Sequence, residues 1–161
     1  DVEFVLSRSQ RIFVERIDIE GNTATLDRVV RRQFDSVEGD PFNPREIRQS
    51  AERIRALGYF ETAEVNAREG SSPEQVVLDV DVVEKPTGSL NFGASFSNND
   101  GPGVAISFAE QNFLGRGQTL NLNVSTASEA RRYGLRFLEP SLLGRDVAFA
   151  LELDYSKTNS S

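Results

Sequence analysis

Two hydrophobic rhythms divide this chain. Up to about Glu84 the apolar positions switch between a period of two and a period of 3.6, and from Gly88 they recur at every second residue. In "RIFVERIDIEGN", Ile12, Val14, Ile17 and Ile19 predict a strand that closes at Gly21-Asn22. Leu26, Val29, Val30 and Phe34 then fall on one helical face, with Thr23 or Thr25 as a possible cap and Arg28, Arg31, Arg32 and Asp35 facing outward. "NPRE" starts a second helix: Asn43 caps, Pro44 takes the first position, and Glu46 at the third returns to the cap backbone. Ile47, Ala51, Ile54 and Leu57 line its inner face, and Gly58 ends it in a left-handed conformation. Thr62 to Arg68 and Val76 to Glu84 read as strands, which gives the order β-α-α-β-β.

Beyond Gly88 five alternating strands are predicted. Their apolar sets are Leu90, Phe92, Ala94 and Phe96; Val104, Ile106 and Phe108; Leu120, Leu122 and Val124; Tyr133, Leu135 and Phe137; and Val147, Phe149, Leu151, Leu153 and Tyr155. The first four opposite faces carry mainly Ser, Asn, Gly and Arg, and the last alternates Asp and Glu with Ala. A soluble sandwich and a membrane barrel both give this pattern. Strands of about nine to eleven residues suit a tilted membrane crossing, and a Ser/Asn/Gly/Arg face suits a wet lumen, so the barrel is favoured. The fold class is α+β: a compact three-stranded module with two helices, then an antiparallel up-and-down meander forming the first part of a transmembrane β-barrel.

The turns contain a repeat. "FAEQNFLGRG" (Phe108 to Gly117) and "FLEPSLLGRD" (Phe137 to Asp146) lie 29 residues apart and share Phe, Glu, Leu, Gly and Arg at matching places. That is a hairpin period, which puts both turns at one end of the sheet. "GRG" alone suggests an anion loop, but it lacks the Lys-Ser/Thr of a P-loop and precedes a strand instead of a helix. Glu110 and Glu139 form a carboxylate pair with a possible catalytic reading, yet they are repeat-equivalent and sit at strand ends, so a structural role is favoured. "NNDGPG" (Asn98 to Gly103) has too few alternating acids for a calcium loop and reads as a turn. Arg132 and Arg136 either line a pore or pair with acids on neighbouring strands.

Composition narrows the chemistry further. The 161 residues include no Cys, His, Met or Trp, which removes thiol and imidazole nucleophiles and Cys/His metal sites. A net charge of -7 speaks against a nucleic-acid partner. Residues 1–87 hold 12 Lys/Arg and 18 Asp/Glu, net -6, whereas residues 88–161 hold 6 and 7, net -1, placing a boundary near Lys85-Pro86-Thr87-Gly88. No apolar run reaches the roughly 20 residues of a membrane helix. The chain opens at Asp1 without a Met or a leader and reads as part of a longer protein.

"RIFVERIDIEGN", "RALGYFETAEV", "VVLDVDVVEKPTGSLNFGASFS", "QNFLGRGQTLNLNV" and "FLEPSLLGR" together closely resemble the outer-membrane-protein assembly factors of the BamA family, with an alphaproteobacterial look. The resemblance covers essentially the whole chain. It implies residues 1–8 as the end strand of a preceding POTRA module, 9–86 as the barrel-adjacent POTRA module, and 87–161 as the first five barrel strands. It also implies insertion of β-barrel proteins into a Gram-negative outer membrane without enzyme chemistry, nucleotide, metal or other cofactor. The partners implied are unfolded outer-membrane proteins, periplasmic lipoproteins and outer-membrane lipid.

Ser89, Leu90, Asn91, Phe92, Gly93 and Ala94 would belong to a client-strand seam, and small residues there keep pairing modest. Glu64, Val65, Asn66, Ala67 and Arg68 would form an exposed POTRA edge able to add a peptide strand, with a solvated edge blunted by its charges as the plainer alternative. Arg31, Arg32 and Gln33 would meet a lipoprotein partner, although Gln33 stands where some members carry an acid. Both Leu-Gly-Arg turns would face the periplasm and "STASEARR" would be an external loop. A two-partner-type secretion transporter of the outer membrane is the alternative function, and a soluble peptide-binding module with a β-sandwich is a third. Five strands cannot close a barrel, so this piece alone should aggregate or pair unless its apolar face is covered.

Overall fold

The computed structural model describes residues 11–159, so the strand expected over residues 1–8 lies outside the described residues. The chain forms two compact units. One holds the described residues up to Thr23 together with Asp27–Lys85, and the other holds Ala24–Leu26 together with the chain from Pro86 onward.

In the first unit, β1 (Phe13–Glu20), α1 (Asp27–Arg31), α2 (Pro44–Ala56), β2 (Phe60–Glu69) and β3 (Gln75–Glu84) follow in order. The sheet order is β1-β3-β2, with β1 parallel and β2 antiparallel to the central β3. Alternation along β3 sends Leu78, Val80 and Val82 toward a core shared with Val14, Ile17, Val29, Val30, Ile47, Ile54 and Ala63. A register shift between Val14 and Arg16 explains why the apolar set of β1 changes phase from Ile12/Val14 to Ile17/Ile19. A second shift between Phe60 and Thr62 does the same in β2, which begins at Phe60 and not at Thr62.

The first helix is shorter than its pattern predicts. It ends at Arg31, and Gln33 N–H and Phe34 N–H bond back three residues to the Val30 and Arg31 carbonyls, so Phe34 reaches the core from a turn. The second helix starts as expected: the Asn43 side chain accepts from Arg45 N–H at 3.1 Å, and Pro44 takes the first position. Glu46 does not return to the cap backbone. Its carboxylate instead accepts from Asn43 Nδ2 at 2.8 Å and from the Ser36 hydroxyl, tying the cap to the preceding loop. Gly58, at φ 76°, follows the helix C-cap Leu57 as expected. Asn43→Ala should therefore lower the stability of this unit by about 1 kcal/mol, read as a lower urea midpoint, while Asn43→Asp should retain most of it.

The second unit is a five-stranded antiparallel meander of β4 (Gly88–Ser97), β5 (Gly101–Phe113), β6 (Gln118–Ala127), β7 (Ala130–Glu139) and β8 (Phe149–Thr158), in that spatial order. Register turns the dyad pattern into cross-strand rows. Leu90, Phe108, Leu122, Leu135 and Leu153 form one apolar row, and Phe92, Ile106, Val124, Tyr133 and Tyr155 form the next. Asn91, Ser107, Asn123, Gly134 and Asp154 form a polar row between them. The last strand starts at Phe149, later than the alternation from Asp146 suggests, because residues 140–148 are held in a turn by a Leu142 N–H bond to the Val147 carbonyl. "STASEARR" is not an open loop: its ends are strand, and only Ser128 and Glu129 make the reversal. The connections are thus three, four, two and nine residues long.

Candidate functional site

Among the described residues β4 is an edge strand, paired with β5 and with no strand on its other side. The expected seam residues Ser89, Leu90, Asn91, Phe92, Gly93 and Ala94 all lie on it. Leu90 and Phe92 are 56% and 74% exposed, too high for a soluble sandwich core and in keeping with a face that meets hydrocarbon. Nothing lies within 4 Å of where a Gly93 side chain would project, so this strand is held by its backbone ladder more than by packing. Ten residues at about 3.3 Å each, tilted by about 45°, span roughly 23 Å, close to the apolar band of a membrane barrel. No helix among the described residues is long and apolar enough to cross a membrane, which says nothing of a strand crossing.

The opposite face is polar. Arg136 sits in register with Glu152, and Arg132 with Ser156, but among the described residues neither arginine forms an ion pair. The described residues contain no acidic cluster suited to a metal.

The "GRG" stretch is a turn whose backbone N–H donors are used internally. Gly115 N–H bonds to the Asn112 carbonyl, Arg116 N–H to the Phe113 carbonyl, and Gly117 N–H to the Asn112 side-chain oxygen at 2.8 Å. No backbone nest remains for a phosphate. The 29-residue repeat extends to geometry. Glu110 Oε1 accepts from Asn112 N–H and Glu139 Oε1 from Ser141 N–H, both at 2.9 Å. Gly144 N–H and Arg145 N–H repeat the bonds of Gly115 and Arg116 to the residue three earlier. The carboxylates therefore brace their turns, with Glu110 also receiving the Thr87 hydroxyl and Glu139 the Gln118 amide. Sequence reasoning missed two features here. Leu114 and Leu143 both sit at φ 55°, although the repeated Leu-Gly-Arg could have drawn notice to the leucines. Asn112 is buried and donates to the Thr25 hydroxyl at 2.8 Å.

In the first unit the expected edge residues Glu64, Val65, Asn66, Ala67 and Arg68 lie on β2, which is an edge of its sheet. Arg68 is engaged across the sheet, donating to Asp79 at 2.6 Å and to Asp18 at 3.0 Å. Arg31 is likewise occupied: it donates to Asp27, Glu38 and the Ile17 carbonyl. The Asp27 hydrogen bond, helped by the Asp27 and Glu38 charges and opposed by burial, raises its pKa above the ordinary guanidinium value. Arg32 is exposed and Gln33 half-buried, with its side chain on the Val29 carbonyl and its own carbonyl accepting from Arg53. Of the three residues expected to meet a lipoprotein, Arg32 is the one fully presented to solvent.

A helix-bearing three-stranded module that leads into a meander with a continuous, exposed apolar face defines a membrane β-barrel protein with a soluble module ahead of its barrel. The family model described as POTRA, surface antigen variable number repeat, matches residues 12–85, and that of the Omp85 superfamily domain matches residues 112–161. The chain thus carries a POTRA match followed by an Omp85 match. It is 29% identical over 155 residues to the outer membrane protein assembly factor BamA of Neisseria meningitidis serogroup B, covering 94% of this chain and 19% of that protein. It is 29% identical over 149 residues to BamA of Nitratidesulfovibrio vulgaris, covering 92% and 19%. The crystal structure of BamA from Haemophilus ducreyi lacking POTRA domains 1–3 superposes with a TM-score of 0.79 at 28% identity, covering 95% of this chain and 29% of that one. The chain spans about a fifth of the length of the two BamA relatives.

Proposed function

We propose that this chain is the barrel-adjacent part of an insertase that assembles β-barrel proteins into the bacterial outer membrane. In this proposal residues 1–8 end a preceding POTRA module, 9–86 form a POTRA module in the periplasm, and 87–161 open the barrel. The observation that carries it is the β4 edge: a ten-residue strand with an exposed apolar face and, among the described residues, one unpaired side, in a chain similar to assembly factors over more than nine-tenths of its length. An unpaired edge templates another strand through main-chain hydrogen bonds, and that is the one thing a client barrel strand needs. The work is pairing and desolvation, and no catalysis is assigned to it. The names of relatives matching over most of the chain favour assembly over the secretion-transporter alternative.

The β2 edge, Glu64 to Arg68, would receive extended client segments, and exposed Arg32 with its neighbours Arg31 and Gln33 would meet a periplasmic lipoprotein. The test is site-specific photo-crosslinking in the full-length protein. A crosslinker at each position from Leu90 to Ala94 should capture an unfolded barrel client, and one at Leu122, on the central strand β6, should not. Equal capture at both places, or none at the seam, would sink the proposal.

A further inference from the structure

Among the described residues, just two non-glycine residues have a positive φ, and both are leucines at equivalent places in the 29-residue repeat. Leu114 and Leu143 share φ 55°, a conformation that is uncommon and sterically unfavourable for a branched apolar side chain. Neither leucine recovers that energy by burial, since Leu114 is 66% exposed and Leu143 91% exposed. Each is followed by a glycine with φ near 70° and then by an arginine. The side chains of Arg116 and Arg145 have no hydrogen-bond or ion-pair partner among the described residues. The supporting bonds are the same in both turns, down to the glutamate that accepts the backbone N–H two residues on. A strained, exposed leucine beside an unpaired arginine, built twice by the same bonds, indicates a surface that meets something apolar and anionic together.

We propose that these two turns are interfacial anchors, with Leu114 and Leu143 entering the acyl boundary of the lipid leaflet and Arg116 and Arg145 contacting lipid phosphate. The inference rests on the membrane-strand reading of β4 to β8. Position argues for lipid as the occupant. Both turns lie at the end of the meander where the chain enters β4, and both project past the ladder, which closes at Phe113–Gln118 and at Glu139–Phe149. A further strand added to β8 would pair along residues 149–158 and leave the Leu143 turn outside the ladder. Strands of this length end at the hydrocarbon boundary, where a short apolar side chain next to a cationic one finds both of its partners.

The test uses the full-length protein on a cysteine-free background, in vesicles containing anionic phospholipid. One environment-sensitive fluorophore is placed in turn at Leu114, Leu143, Leu153 in mid-strand, and Glu74 in the first unit's exposed loop. At Leu114 and Leu143 quenching should be strongest from nitroxide lipids labelled near the headgroup, with iodide quenching about five-fold weaker than at Glu74. At Leu153 it should be strongest from lipids labelled deep in the chain. Reversing both arginines (Arg116→Glu with Arg145→Glu) should raise iodide access at Leu143 by about two- to five-fold. Folding is checked by heat-dependent gel mobility, and where Leu143→Cys lowers the folded yield, the label moves to exposed Asp146 with the same expectation. Lipid quenching at Leu153 together with Glu74-like iodide access at Leu114 and Leu143 overturns the anchors and leaves the barrel standing. Iodide access at Leu153 removes the barrel itself, and unchanged quenching after the arginine reversals overturns the phosphate contact.

Discussion

Leu78→Ala should destabilise the three-stranded unit by about 3 kcal/mol, within the usual range for a large-to-small change at a fully buried site. Leu78 is 0% exposed and lies at the middle of β3, paired to Ile17 on one side and to Ala67 on the other. Its side chain meets the cluster to which α1 gives Val29 and Val30 and α2 gives Ile47 and Ile54, so the cavity would open at the junction of both layers. A unit of this size has a total stability of roughly 4–10 kcal/mol, so the loss is a large share of it. Val83→Ala, on the outward face of the same strand at 52% exposure, should change stability by less than about 0.5 kcal/mol. Urea unfolding of the unit followed by circular dichroism compares the two. Equal midpoints would mean that the sheet and helices are not packed as described.

Period-two alternation was enough to read every strand of the second unit, because each has one face that water does not share. It was less informative where one residue is inserted. The shifts at Val14/Arg16, Phe60/Thr62 and Glu110/Phe113 each reverse the phase of the pattern, and a boundary drawn from alternation alone then slips. The first helix was overextended for a different reason. Leu26 fits the helical face on paper, but its N–H bonds to the Gly115 carbonyl in the second unit's own contact set, and it is 41% exposed. A contact between positions 89 residues apart leaves no periodic trace. The late start of β8 has the same origin, since the turn that delays it depends on a bond between Leu142 and Val147, not on hydrophobicity.

In β4, "GSLNFGASFS", one face was legible as small and polar and the other as apolar, with Leu90, Phe92 and Phe96. What could not be read was which charges are occupied. Arg31 and Arg32 are neighbours of identical type, yet one is drawn onto Asp27, Glu38 and a carbonyl while the other faces solvent. The spacing of Asp27 and Arg31 would have allowed the first of those bonds to be foreseen.

The repeat also supplies a matched pair of substitutions that separates backbone strain from steric contact. Gly115 and Gly144 occupy equivalent places with φ of 68° and 75°, so alanine at either should meet the same left-handed penalty of about 1 kcal/mol. Their surroundings differ. A side chain at Gly115 would lie 1.9 Å from the Ala24 carbonyl oxygen and 2.9 Å from its carbon, both backbone atoms of the same unit, whereas nothing lies within 4 Å at Gly144. Backbone cannot swing aside as a side chain can. Gly115→Ala must therefore also displace the Ala24–Leu26 segment and weaken the Leu26–Gly115 and Thr25–Asn112 bonds. Its total effect should be about 3–4 kcal/mol, against about 1 kcal/mol for Gly144→Ala. Urea-dependent folding of the full-length protein into bilayers, scored by heat-dependent gel mobility, measures both. Equal losses would show that the Ala24 carbonyl does not sit over Gly115. A larger loss at Gly144 would mean that the second turn carries a contact the described residues lack.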